Sequence, residues 1–275
     1  MVAVVLDDEP QGALGWDGHL LLLHRTEPER KTFLVAWIRH GLVQGEKVIY
    51  GQVEMSLPPD IAETLTEQGI DVSAALDDGQ LSIESPQDLG RPGRTREIIE
   101  KALAEGYRAA RISVDSPPVG DVLDGAQADL EKMLDDHCRH YPFSALCQYR
   151  ANILDASVLE IAVKLHAGEI RTAHLITGMD AGRMVVAGEL DVTNDTLLTL
   201  LLKVVSASAS ERLVVNLSSV NFMGVAAARA LVEGTADFRD AGGRVMLRAP
   251  TGDTEWFLRV LGIDEIEHFE LSGAA

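Results

Sequence analysis

Only two cysteines, Cys138 and Cys147, occur in 275 residues, too few for a disulfide scaffold and in keeping with a reducing compartment. Basic residues are also scarce. Against 24 Lys and Arg stand 43 Asp and Glu, a formal net charge of -19 that repels nucleic-acid phosphates and anionic lipid headgroups. Neither nucleic acid nor a membrane is an expected partner; the acidity suits basic partners or simple solubility. No apolar run approaches the roughly 20 residues that span a bilayer. The nearest, LLTLLLKVV at 197–205, is short and broken by Lys203. The opening MVAVVLDDEP has no basic stretch ahead of its apolar run, so no secretory signal is expected and the reading is cytoplasmic. A glycine-rich phosphate loop is missing as well. After Leu23 come His24, Arg25, Thr26, Glu27, Pro28, Glu29, Arg30 and Lys31, with no glycine and with two glutamates where a phosphate needs backbone N–H groups. Nucleotide hydrolysis in the P-loop manner is thereby excluded.

What is present is an alternation of short apolar strands and amphipathic helices. Residues 19–24 (HLLLLH) read as a buried strand, followed by a helix capped by Thr26 with Pro28 in its first turn. Phe33, Leu34, Trp37, Ile38 and Leu42 recur at helical spacing, and Gly41 and Gly45 mark the fraying end of that helix. Strands are predicted at 46–51, 80–84, 109–115 and 143–149, and helices at 61–68, 94–105, 119–140 and 157–166. In the helix from 119, Val122, Leu123, Ala126, Leu130, Met133 and Leu134 keep the repeat. Such alternation predicts an α/β fold with a mostly parallel sheet covered on both faces.

From Thr172 the pattern changes. Residues 172–177 and 183–188 read as a hairpin around a glycine-containing turn, and a helix follows at 195–207. Residues 213–215 read as a strand, 216–221 as a polar turn, and the Ala-rich stretch beyond as a helix; a strand at 244–248, a helix at 253–261 and a strand at 268–271 complete the set. A hydrophobic content of 46% can build full cores, and 275 residues suit two domains, with one larger α/β domain as the competitor. The division predicted is a flexible 1–14, a first domain at 15–168 and a second at 172–275.

The second half resembles STAS domains, the anti-sigma factor antagonist fold. Glu189-Leu190-Asp191 leads into its first helix, and Asn216-Leu217-Ser218 with Phe222-Met223 matches the strand and loop before the signature helix. In that family an anti-sigma kinase phosphorylates the second serine of Asp-Ser-Ser-Gly. This chain has Gly224-Val225-Ala226-Ala227 there, and Ala226 carries no hydroxyl. The resemblance implies that Asp191, Thr193, Asn221, Met223, Gly224, Val225, Ala226 and Arg229 bind an anti-sigma factor or anti-sigma kinase. Ser218 and Ser219 lie several residues too early for a kinase aligned on the helix start. Regulation is therefore expected through the first domain.

The first half resembles the MEDS sensory domain, related in fold to RecA-like and KaiC-like ATPases but without a P-loop here. The matching pieces are the run from His19 to Arg25, the helix ending Gly41-Leu42-Val43-Gln44-Gly45-Glu46, the strand at 108–115, and Leu146-Cys147-Gln148-Tyr149 followed by Val158-Leu159. The resemblance implies a small-molecule ligand. Ligands of parallel α/β sheets bind at the carboxyl ends of the strands, where the predicted elements place His24, Arg25, Tyr50, Asp115, Tyr149 and Arg150.

Other constellations carry less. In the sequence the sole grouping of metal-ligand types is His137, Cys138 and His140 with Cys147 nearby, and neighbours on a helix diverge when zinc needs about four converging ligands. Cys147, inside an apolar strand, reads as a small hydrophobe with a raised pKa. Neither metal nor cofactor is expected. The leading reading is a non-enzymatic signalling protein. The alternatives are a nucleotide- or ligand-binding enzyme on the first half, for which Glu9, Asp115 and Asp121 lack a paired base, and a STAS scaffold that forms homo-oligomers.

Overall fold

A computed structural model describes residues 15–115, 125–166 and 168–272, and side chains outside 125–128. The expected loose stretch 1–14, Glu9 within it, and residues 119–124 with Asp121, Val122 and Leu123 lie outside the described residues, as does the side chain of Ala126. The chain clusters into two compact units, one of them Trp16–His166 and the other built on 168–272.

The first unit runs β1 (His19–His24), α1 (Glu27–Val43), β2 (Lys47–Gly51), α2 (Pro59–Glu67), α3 (Val72–Asp77), β3 (Leu81–Glu84), α4 (Pro86–Leu89), α5 (Arg94–Ala104), β4 (Ala110–Asp115), α6 (Gly125–His140), β5 (Phe143–Arg150) and α7 (Ala156–Leu165). The strands pair in the order β1, β5, β4, β2, β3, all parallel. Every residue of β1 is buried, because parallel strands lie under helices on both faces. One face packs Leu20, Leu22, Val48, Tyr50 and Leu146 on Leu34, Trp37 and Ile38 of α1. Each fully buried leucine there is worth about 1.5–3 kcal/mol of transfer free energy. The helices begin where side chains can cap them: Thr26 accepts from the Glu29 N–H, Asp71 from Ala74, Ser85 from Asp88, and Asp155 from Ser157 and Val158.

Two local expectations fail here. The short helices α3 and α4 were not anticipated between the second and third helical patterns. Gly41 does not mark a fraying end; α1 continues to Val43 and Gly41 is buried inside it. The cause is Arg111 on β4, whose Cδ would lie 2.5 Å from a Cβ at residue 41. Arg111 is fully buried. Its Nε donates to Glu46 Oε2 at 2.5 Å, its Nη2 to Asp17 Oδ1 at 2.8 Å and its Nη1 to the Trp16 carbonyl at 3.2 Å, while the guanidinium lies 4.8 Å from the Trp37 ring centroid. A buried charge persists only with such pairing.

The second unit runs β6 (Glu169–Arg171), β7 (Leu175–Asp180), β8 (Arg183–Leu190), α8 (Asp195–Ser208), β9 (Arg212–Met223), α9 (Val225–Gly234), α10 (Ala236–Asp240), β10 (Arg244–Arg248), α11 (Gly252–Val260) and β11 (Phe269–Ser272). β6, β7 and β8 pair antiparallel, whereas β8, β9, β10 and β11 pair parallel, giving a mixed sheet. Helices α8 and α9 pack so closely that a Cβ at Gly234 would meet Leu202 Cβ at 2.7 Å and the Thr199 carbonyl at 2.9 Å. Larger side chains cannot occupy that position without moving a helix.

The predicted polar turn at 216–221 is instead strand: β9 continues for 12 residues to Met223. Two register shifts against β8, between Val185 and Ala187 and between Gly188 and Glu189, let polar residues ride along without losing the pairing. Leu217, Val220 and Met223 are buried three residues apart instead of two, and the Asn216 side chain accepts from the Ser218 N–H. An alternation rule of period two cannot see a strand that skips its register.

Candidate functional site

Two polar regions answer the expectations from sequence, one in each unit. In the first unit the carboxyl ends of β1, β2, β4 and β5 converge. Parallel register pairs His24 with Arg150, Leu22 with Gln148, Tyr50 with Ser113 and Asp115 with Gln148, so these side chains share one face of the sheet. Arg30 of α1 ties them together. Its Nε donates to Glu27 Oε2 at 2.7 Å, and its Nη1 donates to the Tyr50 hydroxyl at 3.2 Å and to Gln148 Oε1 at 3.3 Å. Arg150 donates to the other oxygen of Glu27 at 2.8 Å, and Gln148 donates to Ser113 Oγ at 2.7 Å.

Electrostatics follow from this crowding. Desolvation lowers the His24 imidazole, with Glu27 opposing. Burial raises the Tyr50 phenol, and it raises the Asp115 carboxyl although the residue as a whole stays exposed. Glu27 is held below its ordinary value; Arg30 outweighs the desolvation. His24 is buried, and among the described residues neither of its ring nitrogens has a hydrogen-bond partner. A buried imidazole with two open positions at a strand's carboxyl end is where a polar ligand atom has most to gain.

Of the six residues expected here, His24, Tyr50, Asp115 and Arg150 gather in this region. Arg25 is exposed, its backbone N–H donating to Glu29 Oε2 at 2.7 Å. Tyr149 departs: strand alternation turns it to the opposite face, where its hydroxyl donates to Glu131 Oε1 at 2.7 Å. Glu27, Arg30 and Gln148 were missed as members. Two of them sit in the helix after β1, where the sequence shows only an acidic first turn; for Gln148 the signal was its parity with Arg150.

In the second unit the turn after β8 meets the junction of β9 and α9. The Gly224 N–H donates to the Leu190 carbonyl at 2.7 Å, which ties the start of α9 to the end of β8. Beyond Leu190, Asp191 Oδ1 accepts from the Thr193 N–H at 2.7 Å and its hydroxyl at 2.6 Å, and Asn194 Oδ1 accepts from the Asp191 N–H. The turn so built holds Val192 at 73% exposure; across the Gly224 hydrogen bond Phe222, near the end of β9, is 52% exposed and Val225, the first residue of α9, 63%. Asn221 and Arg229 are exposed too, Arg229 reaching Asp195 at 3.3 Å. Ala226 is half-buried, and the Met223 side chain is in the core at 6% exposure, so its contribution to a surface is indirect. Gly224 is the N-cap of α9 and offers no side chain to the helix N–H groups. Val192 and Phe222 were not among the site residues expected from sequence; Val192 is a single apolar residue between Asp191 and Thr193, and Phe222 counted only as part of the match before the signature helix.

Among the described residues no helix is long and apolar enough to cross a membrane. The His137, Cys138 and His140 grouping does not converge: His137 stacks edge-on against Tyr141 and His140 lies against Asp136.

Comparison with known proteins follows this division. Residues 18–167 match the family described as the MEthanogen/methylotroph, DcmR Sensory domain (MEDS), and residues 177–271 match the family described as Mlab, STAS domain. No curated protein matches the chain in sequence. Among solved structures, a KaiC-like protein from the hyperthermophilic archaeon Pyrococcus horikoshii OT3 is similar at 15% identity and a TM-score of 0.39, covering 62% of this chain and 78% of that one. With more than half of its length matched, the chain belongs to the MEDS family of sensory domains, joined here to a STAS domain of the regulatory, anti-sigma factor antagonist-like kind.

Proposed function

We propose that this is a non-enzymatic signalling protein whose STAS domain docks an anti-sigma factor or anti-sigma kinase through the turn at 191–193 and the β9–α9 junction at 221–226, under control of a small ligand taken up at the strand ends of the MEDS domain. One observation carries the docking half: three apolar side chains, Val192 on the turn after β8, Phe222 near the end of β9 and Val225 at the start of α9, stand in solvent, and a backbone hydrogen bond joins the two segments. Exposed apolar side chains clustered on a braced surface mark protein contacts. With alanine at 226 the helix start has no phosphate acceptor, so control comes from the sensory half.

The test uses the full chain and an anti-sigma kinase from the same cell, with affinity read by calorimetry. Phe222→Glu and Val225→Glu each weaken binding by more than about tenfold, as expected of central contacts, while Trp256→Glu on the exposed side of α11 leaves it unchanged. Treatment with kinase and ATP leaves the affinity of the natural chain as it was. Gly224→Asp combined with Ala226→Ser restores an acceptor, and the kinase then modifies residue 226. If both glutamate variants bind as the parent does, the docking surface lies elsewhere.

A further inference from the structure

The face of the first sheet opposite the strand-end region holds a second polar group, fully enclosed. His19 opens β1, Cys147 and Tyr149 lie on the adjacent β5, Glu131 comes from the middle of α6, and His166 follows the last turn of α7. His19, Glu131, Cys147 and His166 are all buried, and one donor atom from each lies within 4.8 Å of every other. Glu131 Oε2 is 3.1 Å from His166 Nε2, 3.2 Å from His19 Nε2 and 3.2 Å from Cys147 Sγ, and Cys147 Sγ is 3.5 Å from His19 Nε2.

We propose that His19, Glu131, Cys147 and His166 form a tetrahedral binding site for a divalent transition-metal ion, zinc foremost.

Distance supports it first. Bonds of about 2.0–2.3 Å to a tetrahedral ion separate the ligand atoms by about 3.3–3.8 Å, close to the four separations just given. The donor set supports it next. One thiolate, two imidazoles and one carboxylate suit a borderline-soft ion, and calcium or magnesium would want oxygen alone. Charge also closes: a dication, a thiolate, a carboxylate and two neutral rings sum to zero, which a buried site requires.

The surroundings are those of ligands held in place. His166 Nδ1 lies 2.8 Å from the Ala162 carbonyl, while His19 Nδ1, 3.9 Å from Asp135 Oδ1, is outside hydrogen-bond reach. Tyr149 holds the second oxygen of Glu131. Such outer contacts fix tautomer and orientation in metal sites. The carbonyl of Ala162 accepts only from N–H, so His166 Nδ1 carries a hydrogen and Nε2 is the nitrogen turned to the carboxylate. That buried nitrogen has no hydrogen-bond partner. A metal ion between it and Glu131 Oε2 would give both a ligand bond.

Metal binding would take the proton from the Cys147 thiol and release it to solvent. With four protein ligands the coordination shell is closed, the arrangement of a structural ion. The site is independent of the docking surface and survives or fails separately from it.

The full chain is purified under reducing conditions, its metal content measured, the ion removed with a chelator, and cobalt(II) titrated in as a spectroscopic probe. Expected are about one equivalent of zinc as purified, the intense visible bands of tetrahedral cobalt, and a near-ultraviolet thiolate-to-cobalt band. Cys147→Ser abolishes that last band and Cys138→Ser keeps it. Tyr149→Phe weakens binding by about 10- to 100-fold. The melting temperature of the natural chain falls on chelation and returns with zinc, a readout that does not depend on any variant folding. The proposal is overturned if the folded, reduced chain gives no tetrahedral cobalt spectrum and no melting shift, or if the thiolate band follows Cys138.

Discussion

The two faces of the MEDS sheet handle polar groups in opposite ways, and a single strand divides them. On β5, buried Gln148 and half-exposed Arg150 point toward Arg30 and Glu27, a group open to solvent at its rim, and Cys147 and Tyr149 point into the closed group with Glu131. In the open region, water screens the charges, and a broken contact is replaced by hydration. In the closed one, no such replacement exists, and every donor and acceptor must be matched inside the protein. Identical chemistry therefore carries very different energetic weight on the two sides of one β-strand.

The largest effect should come from breaking the closed side. Glu131→Gln leaves two buried imidazoles and a tyrosine hydroxyl without their charged partner, and the expected loss is about 4 kcal/mol, the cost of removing one member of a buried pair, read by urea denaturation. The pH profile gives the same group a second test. Burial alone would raise the Glu131 carboxyl, but His166 and His19 outweigh it and hold it well below the ordinary value. Because the folded pKa is depressed, the stabilisation is complete above the unfolded carboxyl value and is lost as pH falls below it. Stability of the natural chain should drop in acid more steeply than that of Glu131→Gln.

Arg111 sharpens the comparison, since it is just as enclosed but brings its own positive charge. Arg111→Met strands Glu46 alone in the core, while Asp17, mostly exposed, escapes to water. The expected loss is about 3 kcal/mol, and unlike the cavity on the other face it should be indifferent to chelators. In the open region Arg150→Ala removes the pair with Glu27, both partners half-exposed. Less than about 1 kcal/mol should be lost, and less still at high salt. The smallest change lies in the STAS unit: Gly224→Asp supplies a missing helix cap where a Cβ meets only ordinary contacts, and a gain of a few tenths of a kcal/mol is expected.

Much of the fold was legible because short strands with apolar runs, such as the four leucines of β1, alternate with helices carrying apolar residues at helical spacing. The bulged β9 was not, since its polar residues mimic a turn and only pairing with β8 reveals it. The site residues divide on similar grounds. His24, Tyr50, Asp115 and Arg150 could be placed from strand ends alone. Tyr149, next to Arg150 on one strand, belongs by the same parity to the opposite face. The enclosed group was invisible for a stronger reason: His19, Glu131, Cys147 and His166 come from four distant stretches, and nothing local distinguishes Glu131 from its acidic neighbours on α6. The adjacent histidines and cysteine at 137–140 drew attention by proximity along the chain, the one kind of nearness that a helix disperses.

The burial of Cys147 also makes the molecule its own reporter. In the metal-free chain both thiols are pushed up by burial, Cys138 to about 12, and at Cys147 burial, or a bound ion, also shuts out an alkylating reagent while the fold is closed. Reaction at Cys147 must wait for the wall between α6 and β5 to open. Mass spectrometry after timed alkylation would then count openings of that wall one molecule at a time, and the lag between labelling at 138 and at 147 would measure how long the edge of α6 frays before its centre lets go.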